Sequence, residues 1–240
     1  RLQAIGDVVA TLPAIAGLKR SLPGTRLDFL TRPEAGRLPS DVSLFDSVYL
    51  LHGGRNAYLQ MLAAPWVAWR LSRKRYDVVV DLQGNRVSRW IRERLDAPAW
   101  SSFDRLSPLP HSVRVQRAIE YAVGRDAPLV FDLPLREPAG GLALLPEPYR
   151  ERELVVLNPA GFFPTRNWAL ENYVGFAKAW HARHPNAAFV VLGDARIERK
   201  AAELERALPG RLLNLVGRTS VTEAFEILGR AALVVSEDSG

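Results

Sequence analysis

Short, β-branched apolar runs alternate along this chain with longer amphipathic stretches, and several runs end in a turn carrying glycine, asparagine or aspartate. The clearest is Tyr76-Asp-Val-Val-Val-Asp81, followed by Gln83-Gly84-Asn85. A continuous apolar run of this kind suits a strand buried on both faces of a parallel sheet. Further strands are predicted at 26–31, 47–51, 154–157, 188–192, 212–216 and 233–236. Helices are predicted from Asp7 through Leu22 and over 56–73, 86–95, 170–184, 198–208 and 221–228. Thr219 or Ser220 caps the last of these, and Glu223 completes a capping-box pattern. Strands alternating with helices point to parallel βαβ units, so the chain is expected to be α/β.

Near both ends of the chain an apolar run meets a glycine and a carboxylate: Ala4-Ile5-Gly6-Asp7 at the start, and Asp238-Ser239-Gly240 behind 231–235. In an open α/β sheet such turns lie at the carboxyl ends of strands, where ligands bind. Two of them predict two Rossmann-like, doubly wound parallel-sheet domains facing a cleft, a shape suited to a two-part substrate such as a nucleotide-sugar. Pro138, Gly140, Gly141, Pro146 and Pro148 mark 138–150 as a linker. The first domain is therefore expected over 1–137 and the second over 151–240. Arg1-Leu2 reads as the tail of a strand and Gly240 as the start of a helix, so the C-terminal domain reads as truncated.

Composition narrows the chemistry. The chain has no cysteine, which excludes disulfides, thiolate metal sites and a cysteine nucleophile. It has no Gly-x-x-x-x-Gly-Lys-Ser/Thr loop and no Gly-x-Ser-x-Gly elbow, which argues against a P-loop ATPase and an α/β-hydrolase. His181 and His184 share a helix but lack a nearby third metal ligand. No apolar run reaches the roughly 18 residues of a membrane span. Lys and Arg exceed Asp and Glu by six charges, so anions are the natural partners: nucleic acid, acidic lipid or a phosphorylated substrate. A solvated basic surface with no specific partner fits the same excess.

Several residues carry candidate chemistry. Gly6 permits a tight turn, and Asp7 behind it reads either as a base that accepts a proton from a hydroxyl nucleophile or as a helix N-cap. Arg166, in Thr165-Arg166-Asn167-Trp168, reads as a bidentate phosphate ligand or a surface arginine. Trp168 reads as a packing residue. Thr219 and Ser220 offer hydroxyls and free amides to a phosphate, or simply cap a helix. Asp238, Ser239 and Gly240 allow close approach of a pyrophosphate. Arg70, Arg73, Lys74 and Arg75, with Arg86, Arg89, Arg92 and Arg94, are interleaved with Trp66, Trp69 and Trp90. They read as a membrane or nucleic-acid face, or as a solvated basic helix with its tryptophans in the core.

Taken in order, Arg1-Leu-Gln-Ala-Ile-Gly-Asp-Val-Val-Ala-Thr-Leu-Pro-Ala-Ile15, Tyr76-Asp-Val-Val-Val-Asp-Leu-Gln-Gly-Asn85, Leu157-Asn-Pro-Ala-Gly161 with Thr165-Arg-Asn-Trp168, Asn214-Leu-Val-Gly-Arg-Thr-Ser220 and Val234-Val-Ser-Glu-Asp-Ser-Gly240 resemble the ADP-heptose:lipopolysaccharide heptosyltransferases, inverting enzymes of GT-B fold. The resemblance implies that Asp7 is the catalytic base and that Arg166 takes the place of a family lysine at the departing diphosphate. It implies donor contacts from Gly161, Thr165, Glu198 (at the ribose), Thr219, Ser220, Asp238, Ser239 and Gly240, and acceptor contacts from Gly6, Gln83, Asn85 and Arg86. The family motif runs on past the last glycine to a histidine. No metal or other cofactor is implied. An ADP-sugar is the donor, a lipid-linked phosphorylated sugar is the acceptor, and no nucleic acid is expected. The location implied is cytoplasmic, peripheral to the inner membrane. A GT-B transferase or epimerase for another nucleotide-sugar, and a non-catalytic module for anionic glycolipid or nucleic acid, are the alternative readings.

Overall fold

The computed structural model describes residues 2, 5–132, 134–161, 165 and 167–237. The chain divides into two compact units, 1–136 and 137–239.

The first unit opens with a helical segment in two pieces, α1 (Ile5–Val9) and α2 (Leu12–Ser21). One continuous helix was expected here. Pro13, in the first turn of α2, explains the break. Its ring would clash with the carbonyl of Val9, four residues back, so α1 stops there. Next come β1 (Asp28–Thr31), α3 (Pro33–Asp41), β2 (Ser47–Leu50) and α4 (Ala57–Ser72). The unit ends with β3 (Val78–Asp81), α5 (Arg86–Glu93), β4 (Ala99–Ser102) and α6 (His111–Val123). Among the described residues the strands form two parallel pairs, β1 with β2 and β3 with β4. The Tyr76 hydroxyl donates to Asp28 Oδ2 at 2.7 Å and so holds the start of β3 beside the start of β1. The valines of β3 are half-buried rather than fully enclosed. They face a cavity of about 210 Å³ between the two pairs, lined also by Phe29, Leu30 and Leu82.

The second unit begins earlier than its strands suggested. Residues 138–150, expected as a linker, carry a 3-10 turn (Gly141–Leu144) and the one-turn helix α7 (Glu147–Arg150). The sheet strands are β5 (Glu153–Asn158), β6 (Ala187–Val191), β7 (Leu212–Asn214) and β8 (Leu233–Ser236). Between them lie α8 (Leu170–Arg183), α9 (Glu198–Ala207) and α10 (Val221–Arg230). The sheet is parallel throughout, in the order β7-β6-β5-β8. Leu154 to Leu157 and all of β6 are buried, as the continuous apolar pattern requires. β8 pairs with β5 alone among the described residues. Val234 on it is 44% exposed, where a buried strand was expected.

The 3-10 turn is built into this unit. The Glu226 carboxylate of α10 accepts from the amides of Ala139 and Gly141, the latter at 2.7 Å. A Cβ on Gly141 would fall 2.2 Å from the Glu223 carbonyl oxygen, so the approach requires glycine. Leu145 is 1% exposed, within a core that includes Leu154, Val156, Leu215 and Ile227. Gly141→Ala is expected to lower stability by about 1–3 kcal/mol through overpacking. Leu145→Ala should lower it by about 2–5 kcal/mol through the cavity it leaves. Both are read as a fall in the urea midpoint, and a free tether would tolerate both changes.

Candidate functional site

In the first unit, Ile5, Gly6 and Asp7 are helical. Gly6 therefore lies within α1 rather than in the tight strand-end turn expected of it. Asp7 is the third residue of α1, half-buried, which places it inside the helix and not at its N-cap.

The turn after β3 is organised by Asp81. Its Oδ1 accepts from the amides of Gln83 at 3.0 Å and Gly84 at 2.9 Å, and its Oδ2 accepts from the Ser88 hydroxyl at 2.9 Å. Gly84 turns the chain with φ of 62°, a conformation that glycine adopts without strain. Gln83 is buried, and its Oε1 accepts from the Leu2 amide at 3.0 Å, tying the chain start to this turn. Asn85 caps α5, its side chain accepting from the Ser88 amide at 2.8 Å, while the Asn85 amide donates to the Ser88 hydroxyl oxygen at 3.1 Å. Arg86 is exposed on the first turn of α5. Three of the four residues predicted at the acceptor, Gln83, Asn85 and Arg86, thus share one turn, and the first two already spend polar atoms in shaping it, while Gly6 lies in α1.

In the second unit every strand runs the same way, so the loops after β5, β6, β7 and β8 all leave from one edge. β6 and β7 lie on one side of β5 and β8 on the other. The strand order therefore reverses between β5 and β8, and ligands of open α/β sheets bind at such a point. A buried carboxylate, Glu237, occupies it. Its side chain is 3% exposed. It accepts from the Gly161 amide at 2.6 Å and the Trp168 amide at 2.8 Å. Lys200 Nζ lies 3.7 Å from it and donates to the Pro159 carbonyl at 2.9 Å. With the Asn167 amide turned to donate, its nitrogen reaches Gly161 O at 3.0 Å and Glu237 Oε2 at 3.2 Å. The Trp168 ring packs edge-on against Tyr173 at 4.9 Å, as a packing residue should. The Tyr173 hydroxyl lies 3.5 Å from the Asn158 carbonyl. Beside it the Asn158 Oδ1 is buried with no hydrogen-bond partner among the described residues.

The other predicted donor residues sit at the same sheet edge, apart from this cluster. Ser220 caps α10, with the expected capping box: its hydroxyl accepts from the Glu223 amide at 3.3 Å, and Glu223 accepts from the Ser220 amide at 2.6 Å. Thr219 precedes it, half-buried. The Gly217 amide donates to the Gly193 carbonyl at 2.9 Å and joins the loop before α10 to the one before α9. Glu198 begins α9 and is exposed, as is Thr165. Arg166, Asp238, Ser239 and Gly240 lie outside the described residues. Glu237 and Lys200 are the residues that sequence reasoning missed. The one local hint for Glu237 was its place in the sequence between the apolar run 231–235 and Asp238-Ser239-Gly240, which does not reveal its partners. Lys200 has no local signal. Among the described residues no group of three or more side chains is placed to hold a metal ion. His184 instead pairs with Glu153 at 3.1 Å and stacks on Trp180 at 4.3 Å.

Two solved structures share this architecture. A family 9 glycosyltransferase from Veillonella parvula superposes with a TM-score of 0.83 at 15% identity, over 100% of this chain and 74% of that one. The Escherichia coli heptosyltransferase WaaC, solved with ADP, gives a TM-score of 0.75 at 18% identity, over 99% of this chain and 80% of that one. The fold is thus α/β of the GT-B type found in sugar transferases. Over residues 67–240 the chain matches glycosyltransferase family 9 (heptosyltransferase), and it belongs to that family. It is a glycosyltransferase. Lipopolysaccharide heptosyltransferase 1 of Pseudomonas aeruginosa is 26% identical over 100% of this chain and 72% of that protein.

Glu237→Ala would leave the Gly161 and Trp168 amides without their acceptor. It is expected to lower stability by about 1–3 kcal/mol, measured by urea unfolding, with Glu237→Gln recovering only part of the loss. A second outcome concerns pH. Burial, then the neighbouring Glu237 charge, pushes the Tyr173 hydroxyl above its ordinary value of 10.0. Burial and Asp28 do the same to Tyr76. With the folded value raised, the unfolded chain releases its protons first, from about pH 10. The stability these neutral hydroxyls contribute is complete below that pH and falls as the pH rises through the alkaline range. Tyr173→Phe should make the decline of the urea midpoint above about pH 10 shallower.

Proposed function

We propose that this protein transfers a heptose from an ADP-sugar to the core of a lipopolysaccharide acceptor, with inversion at the anomeric carbon. Family membership over residues 67–240 carries the reading. The switch point between β5 and β8, with its buried acceptor on Asn158, supports the second unit as the donor side. The P. aeruginosa relative supports the acceptor, being named a lipopolysaccharide heptosyltransferase.

In this reading the acceptor hydroxyl gives its proton to the Asp7 carboxylate as its oxygen bonds to the anomeric carbon. The bond from that carbon to the diphosphate breaks, and ADP leaves with the electron pair. Arg166 meets the growing negative charge on the diphosphate. A guanidinium offers a planar pair of donors where an ammonium offers a point charge, so it favours two phosphate oxygens at once. Gly161, Thr165, Thr219, Ser220, Asp238, Ser239 and Gly240 contact the nucleotide, phosphates and sugar, and Glu198 the ribose. Gly6, Gln83, Asn85 and Arg86 line the acceptor side. The reaction needs no metal: cations and free helix amides stabilise the leaving group. The protein works in the cytoplasm.

Asp7→Asn and Asp7→Ala should each lower the transfer rate by roughly 10²–10⁴-fold, the usual contribution of a general base. ADP affinity by titration calorimetry should be nearly unchanged. Full activity in either variant would remove Asp7 from the role. Product analysis with ADP-heptose and other nucleotide-sugars tests the donor, and turnover only with another sugar would overturn the assignment.

A further inference from the structure

The helix α4 presents apolar side chains to both of its sides. One side, through Ala64, Val67, Ala68 and Leu71, packs into a core with Tyr49, Leu51, Val87 and Ile91. The opposite side is open: Tyr58 is 85% exposed, Leu62 77%, Trp66 64% and Trp69 50%. Leu59, Leu62, Trp66, Trp69 and Arg73 follow each other at steps of three and four residues, so they form one ridge along the helix. The sequence allowed these tryptophans a place in the core. They lie on the surface instead, their rings stacked at 5.0 Å, with the Arg73 guanidinium 4.6 Å over Trp69. A contiguous exposed apolar ridge of this kind is uncommon on a protein that meets only water.

Charge decides what covers it. Residues 55–75 carry Arg55, Arg70, Arg73, Lys74 and Arg75, and no aspartate or glutamate. All five cations are exposed. A second copy of this face would bring cations but no acid to meet them. A surface with an apolar interior and anionic phosphates satisfies both halves of the ridge, because indole rings settle at the boundary of acyl chains and headgroups. Long cationic side chains reach from there to the phosphates.

We infer that the exposed face of α4 is a docking surface for an anionic lipid bilayer. The helix lies in the plane of the membrane, Leu62, Trp66 and Trp69 enter the acyl–headgroup boundary, and Arg70, Arg73, Lys74 and Arg75 meet lipid phosphates. The benefit to the enzyme rests on the proposed lipid-linked acceptor, but the docking itself does not.

The test is flotation of the whole chain with vesicles of phosphatidylcholine containing phosphatidylglycerol, against phosphatidylcholine alone. The chain is expected to float with the anionic vesicles and to be released by salt. Combining Leu62→Ser, Trp66→Ser and Trp69→Ser should weaken that binding at least tenfold. Combining Arg70→Gln, Arg73→Gln and Lys74→Gln should abolish the preference for phosphatidylglycerol. Unfolding midpoints and ADP affinity should match the unsubstituted chain. As a readout free of substitution, brominated lipids should quench the tryptophan fluorescence of the unaltered protein. Failure of the unaltered chain to bind anionic vesicles, or equal binding by the Leu62, Trp66 and Trp69 variant, would overturn the inference. So would a dimer that these same substitutions dissolve in a protein that ignores lipid. A chain that floats as expected but transfers no heptose would sink the proposed function and leave the docking surface standing.

Discussion

Parallel strands cannot be joined by a tight turn, and the second unit is shaped by that constraint. Each strand must be followed by a crossover, so every loop leaving a strand emerges at the same edge of the sheet. The fully buried run Leu154–Leu157 makes β5 the centre, with β6 on one side and β8 on the other. The loops after β5 and β8 then part company and leave a crevice. Glu237 stitches the two together across it. A carboxylate buried with no partners would be costly. Here two backbone amides and Lys200 meet it, so the charge holds the shape of the crevice rather than opposing the fold.

The polar residues of the first unit follow the same economy of use. Asp81, Gln83 and Asn85 shape the turn after β3, and the buried ends of their side chains are engaged there. Their local surroundings account for them whether or not a ligand also touches the turn. The Asn158 Oδ1 and the outer face of α4 are different in kind. One is a buried acceptor without a donor among the described residues, the other an apolar surface without a cover. Neither is used in packing or hydrogen bonding among the described residues.

The alternating pattern was readable for much of the chain, although α6, whose Val115, Ala118, Ile119 and Ala122 form a buried stripe, was not among the predicted helices. β5, β6, α8, α9 and the Ser220–Glu223 capping box lie within a residue or two of where apolar period and cap chemistry put them. α3 was not readable. Pro33, Gly36 and Pro39 are turn-forming residues, and the helix is held by the burial of Ala35 and Leu38. β4, Ala99-Trp-Ser-Ser102, has no apolar run and is a strand because β3 pairs with it. Of the candidate site, the turns at Gly161, Ser220 and Asn85 were legible as strand-to-helix junctions. Glu237 was not, because its role depends on amides 76 and 69 residues away.

By itself, the order of residues determined the class of fold, the parallel arrangement of the strands and the turns where ligands would be expected, because these follow from periodicity and backbone preference over a few neighbours. It also carried the family motifs. Only the tertiary structure decided which polar groups are consumed in building those turns, that 138–150 belongs to the second unit, and that Trp66 and Trp69 face outward. Each of these depends on contacts between segments far apart in the chain, and burial is a property of what the whole fold covers.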